Sequence, residues 1–241
     1  MTDLRDQIAL VTGASGAIGG AIARALGAAG ARLVLAGRDA ARLRMLAEEL
    51  RGSSPEIDVQ AADLADEAAL RRLATRVLGT FGGVDLLVHS AGLFVGGKVA
   101  DVPLADLDRQ LTVNLRAPYL LTQLLLPSLI ARRGQIVFIN SSAGRVARGG
   151  VASYAASKWA LKGLADGLRD EVNGAGVRVL TVFPARTASA MQVLVRQTEG
   201  KPYEPEKLLQ PEDVAAVTLN ALLLPRRAEV TDVDVRQMVP V

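Results

Sequence analysis

The sequence predicts an α/β protein built on one doubly wound parallel sheet of about seven strands, with helices on both faces. Two observations carry this prediction. Apolar runs of strand length alternate with segments of helical periodicity along the chain. The runs are near-continuous in Val, Ile and Leu, which is typical of strands buried on both faces of a parallel sheet. The 241 residues suit one domain of this class, so we expect a single domain over residues 1–241.

Strands and helices alternate strictly, which favours right-handed crossovers. The expected strands are Ile8–Val11, Leu33–Ala36, Ile57–Ala61, Val84–His89, Gln135–Asn140, Val177–Phe183 and Val230–Val235. The expected helices are Ala17–Ala29, Ala40–Leu50, Glu67–Leu78, Leu104–Ile130, Ala152–Asn173 and Pro211–Leu223. Pro118 and Pro127 are expected to interrupt the fourth helix, and Pro211 opens the last one at a favoured first-turn position.

One long segment lacks a clear period. Residues 198–210 contain Gly200, Pro202 and Pro205, a composition that predicts an irregular surface segment. Connections that follow strands carry the sites of such folds. We therefore expect a mobile substrate loop over about residues 190–210.

Composition excludes several classes of protein. The chain has no Cys and a single His, His89, which excludes a disulfide scaffold, a cysteine nucleophile and thiolate or multi-histidine metal sites, so no metal is expected. The net charge is +3 and aromatic residues make up 3%. With the arginines scattered, nucleic-acid binding is not expected. No apolar stretch could span a bilayer and no signal segment opens the chain, so we expect a cytoplasmic protein without membrane contact.

A glycine-rich turn follows the first expected strand. Residues 12–20 are Thr-Gly-Ala-Ser-Gly-Ala-Ile-Gly-Gly, directly before the first helix. Such glycines let the backbone turn tightly and approach a pyrophosphate, while the helix N-terminus favours negative charge. Glycines that only pack a helix on a strand would look alike, but the position inside a βαβ unit favours a dinucleotide. The expected contacts are Gly13, Ser15, Gly16, Ala17, Ile18 and Gly19.

The end of the second strand bears on the choice of nucleotide. An acidic residue there would bind the adenosine ribose hydroxyls of NAD, but the strand is followed by Gly37 and Arg38. A guanidinium forms forked contacts with a 2′-phosphate. Asp39 lies where an NAD-binding acid could stand, although it is also a favoured N-cap for the next helix. NADP(H) is therefore the preferred cofactor, with NAD(H) as the alternative.

Tyr154 and Lys158 lie four residues apart near the start of the helix Ala152–Asn173. Residues at this spacing share a helix face. A free Tyr has a pKa of about 10, and a nearby ammonium favours the phenolate, which lowers that pKa. The pair therefore predicts an acid–base group that works near neutral pH.

The glycine turn, the Tyr-Ala-Ala-Ser-Lys segment at residues 154–158 and the sheet pattern together resemble the single-domain branch of the short-chain dehydrogenase/reductase family. The resemblance runs from Gln7 to about Ser189. It implies a Rossmann fold, a nicotinamide cofactor and an NAD(P)-dependent enzyme acting on CH–OH groups. Hydride would pass between the nicotinamide and a ketone, an aldehyde or the matching secondary alcohol.

The resemblance also implies catalytic roles for four residues. Tyr154 would give a proton to the substrate oxygen or remove one from it, and Lys158 would lower the pKa of Tyr154 and bind the nicotinamide ribose. Ser141 lies thirteen residues before Tyr154 and would polarise the carbonyl, with Ser142 as the fallback. Asn114 would hold a water of the proton relay.

The same resemblance extends the expected cofactor site beyond the glycine turn. Asp63 is expected to contact adenine, and Thr187 and Ser189 the nicotinamide carboxamide. The other expected contacts are Leu64, Ser90, Ala91, Gly92 and Pro184, together with Tyr154 and Lys158. The expected partners are a small carbonyl or alcohol substrate and further copies of the chain, in a homodimer or homotetramer whose two-fold axes pass between the helices Leu104–Ile130 and Ala152–Asn173.

Some positions depart from the family pattern. The middle glycine of the usual turn is Ala17, His89-Ser90 stands where the family has two Asn, and a C-terminal Val-Asp-Gly-Gly is absent. An NAD-preferring enzyme similar to the 3-oxoacyl-[acyl-carrier-protein] reductases stays an alternative, as does a non-catalytic regulator that senses the dinucleotide. The substrate is open. Its candidate contacts are Leu93, Phe94, Arg145, Val146 and Arg186.

Overall fold

In the computed structural model, which describes residues 3–239, seven strands form one parallel sheet in the order β3-β2-β1-β4-β5-β6-β7. The strands are β1 Ile8–Thr12, β2 Arg32–Gly37, β3 Ile57–Ala61, β4 Leu86–His89, β5 Gln135–Ile139, β6 Arg178–Pro184 and β7 Asp232–Val235. The predicted doubly wound sheet is confirmed. The strand order reverses between β1 and β4, so their carboxyl ends flank a crevice where ligands bind in such sheets.

Eight α-helices connect these strands within the described residues. They are α1 Ala17–Ala28, α2 Ala40–Glu49, α3 Glu67–Phe81, α4 Leu104–Leu111, α5 Ala117–Ala131, α6 Ala152–Val172, α7 Ala190–Glu199 and α8 Pro211–Leu222. Among residues 3–239, none of these helices is both long and apolar enough to cross a membrane.

The sheet is covered on both faces by apolar layers. One layer joins the sheet to α1, α2 and α8, around Leu26, Leu43 and Val214. The other joins it to α3, α5 and α6, around Leu73, Leu125 and Leu161. Burial of every residue of β1 and β5 follows from this arrangement, and it explains why these strands are runs of apolar residues rather than alternating patterns.

The long helical segment between β4 and β5 differs from the prediction of interruptions at Pro118 and Pro127. It runs unbroken from Leu104 to Ala131, with one π-helical stretch at Thr112–Arg116 where the amide of Ala117 donates to the carbonyl of Thr112. Pro118 has no N–H to donate to the carbonyl four residues before it. The wider π-helical turn directly before Pro118 accommodates the loss of this bond. Pro127 is exposed within α5, where water can solvate the carbonyl that it leaves unpaired.

Helix α7 was not predicted. The expected mobile loop over residues 190–210 begins with this helix, which Ser189 caps by accepting from the amide of Gln192. It ends at Gly200 with a positive φ, and a short 3₁₀ turn follows at Pro205–Lys207. The buried positions of α7 are Gln192 and Arg196. Because these buried residues are polar, the helical period is hidden from a hydrophobicity pattern. The expected mobility stays a prediction.

Candidate active site

The glycine turn packs directly against the end of β4. Gly13 has φ +68°, and a Cβ there would lie 2.7 Å from the backbone of Ala91. A Cβ on Gly19 would lie 2.3 Å from the carbonyl oxygen of Gly13. Both positions therefore require glycine. Gly16 starts α1 without a side-chain cap, and the first turn of the helix carries no acidic residue. The N-terminus of α1 thus presents backbone donors and a favourable dipole toward the crevice.

The end of β2 carries the two residues that bear on the choice of nucleotide, Arg38 and Asp39. The carboxylate of Asp39 accepts a hydrogen bond from the backbone amide of Arg42 at 3.0 Å. It also forms an ion pair with the Arg42 guanidinium. It is the N-cap of α2, as one of the two interpretations of this residue predicts. Arg38 is exposed beside it. A Cβ on Gly37 would lie 3.1 Å from Ser15 Oγ, so the hydroxyl of the glycine turn lies at the end of β2, one residue before Arg38.

A small cavity opens between β1, β4 and the segment after β3. Its lining includes Thr12, Leu64 and Ala91. Asp63 is exposed next to it, with its carboxylate accepting from the amide of Ala65 at 3.0 Å. Ser90 Oγ is buried and has no partner among the described residues. A buried hydroxyl without a partner is unfavourable, so this position suits contact with a polar ligand group.

The end of β5 and the start of α6 bring together the side chains of Tyr154, Ser141 and Lys158. Ser141 adjoins Tyr154 and acts on the pKa of its phenol, and Lys158 Nζ lies 5.8 Å from the centroid of the Tyr154 ring. Lys158 Nζ donates to the carbonyl of Ile139 at 3.1 Å. Both Tyr154 and Lys158 are buried. The structure thus brings the three predicted side chains into one cluster.

The protonation state of this cluster differs from the expectation that the ammonium would lower the tyrosine pKa. Burial raises the pKa of Tyr154 to about 12, and the hydrogen bond with Ser141 lowers it by a smaller amount. Burial also lowers the pKa of Lys158 to about 8. Desolvation disfavours the charged form of each group and is the largest cause of both shifts. At neutral pH the site therefore holds a protonated phenol beside an ammonium.

Replacement of Lys158 should stabilise the protein at neutral pH. A pKa lowered from 10.5 to about 8 corresponds to roughly 3 kcal/mol against the buried ammonium, and loss of the bond to Ile139 offsets about 1 kcal/mol. Lys158→Met should therefore raise the free energy of unfolding at pH 7 by about 2 kcal/mol, or the midpoint of thermal unfolding by about 5 °C.

This gain should shrink as the pH rises from about 8 to about 10.5, because the unfolded chain holds the lysine proton in that range and the folded chain does not. Lys162→Met, one turn further along α6, removes an ion pair with Asp166 and should change stability by less than about 1 kcal/mol. Equal effects of Lys158→Met at pH 7 and pH 10 would contradict the assignment.

Asn114 lies in the π-helical stretch and faces the same cluster. Its side chain accepts from the amide of Leu93 at 2.7 Å and donates to the Leu93 carbonyl and to Ser157 Oγ, both at 2.9 Å. The residue four positions on is Pro118, which has no N–H to donate to the backbone carbonyl of Asn114. A Cβ on Gly92 would lie 3.7 Å from Asn114 Oδ1 and 3.9 Å from Lys158 Nζ, so Gly92 adjoins both side chains.

Two supporting residues of the site were missed by the sequence analysis. Asn140 donates to the carbonyl of Lys158 at 3.0 Å and accepts from the amide of Ser141 at 2.9 Å, which ties the end of β5 to α6. Ser157 donates to the carbonyl of Tyr154 at 2.7 Å and accepts from Asn114. Asn140 was visible as a polar residue that ends an apolar strand, and Ser157 as the residue three positions after Tyr154.

The segment after β6 forms the opposite wall of the crevice. Pro184 ends the strand, and Thr187 Oγ1 donates to the carbonyl of Ala185 at 3.1 Å. Ser189 Oγ donates to the carbonyl of Thr187 at 3.1 Å while capping α7. A Cβ on Gly92 would also lie 3.8 Å from Met191 Cε. The first turn of α7 therefore reaches the surroundings of Lys158.

The two arginines considered for the substrate are engaged within the protein. Arg145 forms ion pairs with Asp232 at 2.8 Å and Asp234 at 3.2 Å, and its guanidinium lies 3.7 Å from the centroid of the Phe183 ring. Arg186 forms an ion pair with Glu199 at 2.6 Å. Arg145 thus ties the turn after Ser141 to β7, and Arg186 ties the end of β6 to α7.

His89 is a structural residue at the end of β4. Its ring stacks on Phe138 with centroids 5.0 Å apart, and Nε2 lies 2.9 Å from Thr122 Oγ1. Burial lowers the pKa of His89 to about 3, so the ring is neutral at physiological pH and does not serve as a proton shuttle there.

The doubly wound sheet and the glycine turn at its crevice define the class of dinucleotide-binding α/β proteins, and known proteins give the same class. The model of the family described as short chain dehydrogenase matches residues 7–200. An uncharacterized oxidoreductase of Staphylococcus aureus is 31% identical over 237 residues, covering 98% of this chain and 99% of the relative.

Two solved structures share the whole architecture. A metagenomic short-chain oxidoreductase in complex with NADP is 35% identical over 98% of this chain and 99% of its own, with a TM-score of 0.84. An alcohol dehydrogenase from Thermococcus sibiricus, complexed with 5-hydroxy-NADP, is 27% identical over 96% and 97%, with a TM-score of 0.87. The chain belongs to the short-chain dehydrogenase/reductase family and is an NAD(P)-dependent oxidoreductase.

Proposed function

We propose that this protein is an NADP(H)-preferring enzyme that reduces a ketone or aldehyde, or oxidises the matching secondary alcohol, with Tyr154 as general acid and base. The observation that carries this proposal is the buried cluster in which Tyr154 adjoins Ser141 while Lys158 lies on the same helix face. Such a cluster holds a proton donor and a polarising hydroxyl side by side, which is what a carbonyl oxygen needs as it gains negative charge.

The crevice fits a dinucleotide. The close approach of Gly13, Gly16 and Gly19 leaves backbone donors at the N-terminus of α1 for a pyrophosphate. Arg38 and Ser15, from the end of β2 and the glycine turn, would hold a 2′-phosphate. The other contacts that we propose are Ala17, Ile18, Asp63, Leu64, Ser90, Ala91, Gly92, Tyr154, Lys158, Pro184, Thr187 and Ser189. When bound, the nicotinamide supplies or accepts the hydride.

Tyr154 acts as the acid in the direction of reduction. Burial keeps its phenol protonated at neutral pH, so the proton is in place for the substrate oxygen. Ser141 holds the same oxygen through its hydroxyl and polarises the carbon–oxygen bond. Oxidation of an alcohol instead requires the phenolate, so it should be favoured by alkaline pH.

Lys158 stabilises the phenolate that remains after proton transfer, because its positive charge lies beside the Tyr154 ring. Its amine also donates to the ribose next to the nicotinamide. Pro118 has no N–H to donate to the backbone carbonyl of Asn114. That carbonyl would accept from a water that returns the proton to the Tyr154–Lys158 pair.

Self-association through α5 and α6 is part of the proposal. The exposed side chains of these helices include Tyr119 at 54% and Trp159 at 49% exposure. Apolar groups of this size on neighbouring helices are typical of an interface between copies.

The test is consumption of NADPH by the purified protein with a panel of ketones and aldehydes, with the alcohol product identified. Turnover that yields the alcohol supports the proposal. If NADPH binds but no carbonyl is reduced, and Tyr154→Phe changes neither result, the protein is a dinucleotide sensor instead.

A further inference from the structure

The chain that follows β4 is held like an edge strand, although it belongs to no sheet. The amide of Leu93 donates to Asn114 Oδ1 at 2.7 Å, that of Val95 to Gln110 Oε1 at 3.0 Å, and that of Gly97 to the carbonyl of Gly150 at 2.7 Å. Every second amide is thus bound on one side. In extended backbone, successive side chains point to opposite faces, so Phe94 lies on the face opposite to that of Leu93 and Val95.

Phe94 forms the wall next to the proposed acid. Its ring meets the Tyr154 ring edge-on, with centroids 5.2 Å apart and an interplanar angle of 73°. Phe94 and Tyr154 are both 9% exposed, so this contact excludes water from one side of the phenol. The position of residues 93–97 therefore decides which groups fit beside Tyr154.

Gln110 joins this wall to the catalytic helix. It is fully buried, and its Nε2 donates to Ser153 Oγ at 3.0 Å. Ser153 directly precedes Tyr154. One turn further along, Asn114 makes the equivalent link to Ser157 at 2.9 Å. Two hydrogen bonds, each from an amide side chain to a serine hydroxyl, thus connect the helical segment before β5 to α6. The same two amide side chains also bind residues 93–97.

We propose that Gln110 is a positioning residue that fixes residues 93–97 against α6 and thereby sets the size selectivity of the substrate pocket. The selectivity rests on the proposed function, but the positioning does not. Gln110 is the sole tie of the Val95 amide among the described contacts, and its removal leaves a partly buried donor unpaired. The segment would then move away from α6 and carry Phe94 with it.

The experiment compares Gln110→Met with Gln135→Met. Gln135 is also buried and hydrogen-bonded, but it lies at the opposite end of β5, where it contacts Arg178 and the carbonyl of Leu222. Amide exchange at Val95 should become about tenfold faster in Gln110→Met and stay within about twofold in Gln135→Met. Ser153→Ala, which removes only the link to α6, should give a smaller change in the same direction.

Turnover supplies the second readout. The ratio of kcat/KM for acetophenone to that for butanone should change by about fivefold in Gln110→Met and not in Gln135→Met, with the Kd for NADPH unchanged in both. An unchanged Val95 exchange rate, or equal loss of kcat/KM for both ketones, would overturn the proposal. If the wild type reduces neither ketone, the proposed function fails on this panel, while the exchange comparison still decides the positioning.

Discussion

Tyr154→Phe should lower kcat by about a thousandfold, within the range that general acid–base catalysis supplies. The variant removes the proton donor and leaves the ring that packs edge-on against Phe94. Because the variant alters only one of the many proposed cofactor contacts and leaves the glycine turn untouched, the Kd for NADPH should stay within about twofold. The measurement is steady-state NADPH oxidation with the best carbonyl from the panel, beside direct titration of the cofactor.

Tyr119→Phe is the matched control for this variant. Tyr119 lies on α5 with 54% of its surface exposed, so loss of its hydroxyl should leave kcat unchanged. A Tyr154→Phe protein that keeps more than about one tenth of wild-type kcat would show that another group supplies the proton, since acid–base catalysis contributes at least about a hundredfold.

Arg38→Ala should raise the Kd for NADPH by about thirtyfold to a hundredfold and change the Kd for NADH by less than about twofold. A charge-assisted contact of a guanidinium with a phosphate contributes roughly 2 to 3 kcal/mol, and about 1.4 kcal/mol corresponds to a tenfold change in Kd. NADH lacks the 2′-phosphate, so it makes no such contact with Arg38 that the substitution could remove. The measurement is titration of both dinucleotides into both proteins.

Arg44→Ala removes an exposed charge from α2 without touching the end of β2, so both Kd values should stay within about twofold. Equal weakening of NADPH and NADH by Arg38→Ala would contradict the proposed cofactor preference. Tighter binding of NADH than NADPH by the wild type would contradict it as well. Asp39 would then be the candidate for binding the adenosine ribose hydroxyls of NAD.

Much of the fold was predictable because the sheet is buried on both faces. Apolar runs located the five central strands, whereas the edge strands β3 and β7 alternate apolar and polar residues. Helical periodicity located every helix of the two covering layers. Periodicity failed at α7, where Gln192 and Arg196 occupy the buried positions. It also failed at Pro118 and Pro127, since a π-helical turn and solvent exposure let the chain accommodate both prolines without a break.

The four-residue spacing predicted that Tyr154 and Lys158 share one helix face, and the family resemblance added Ser141 and Asn114. Neither could predict the protonation states of Tyr154 and Lys158. The pKa of Tyr154 depends on how deeply α6 is buried, which is a property of the packed molecule. Nor could spacing find Gln110, because its partners Val95 and Ser153 come from two distant segments that only the fold brings together.

A crystal structure of the protein with NADP and a carbonyl substrate or analogue tests the central claim most directly. Tyr154 Oη and Ser141 Oγ should each lie about 2.6–3.2 Å from the ligand oxygen, with Lys158 Nζ at the nicotinamide ribose. A ligand oxygen that is bound elsewhere, with Tyr154 Oη closed off from the crevice by Phe94, would contradict the assignment of Tyr154 as the acid.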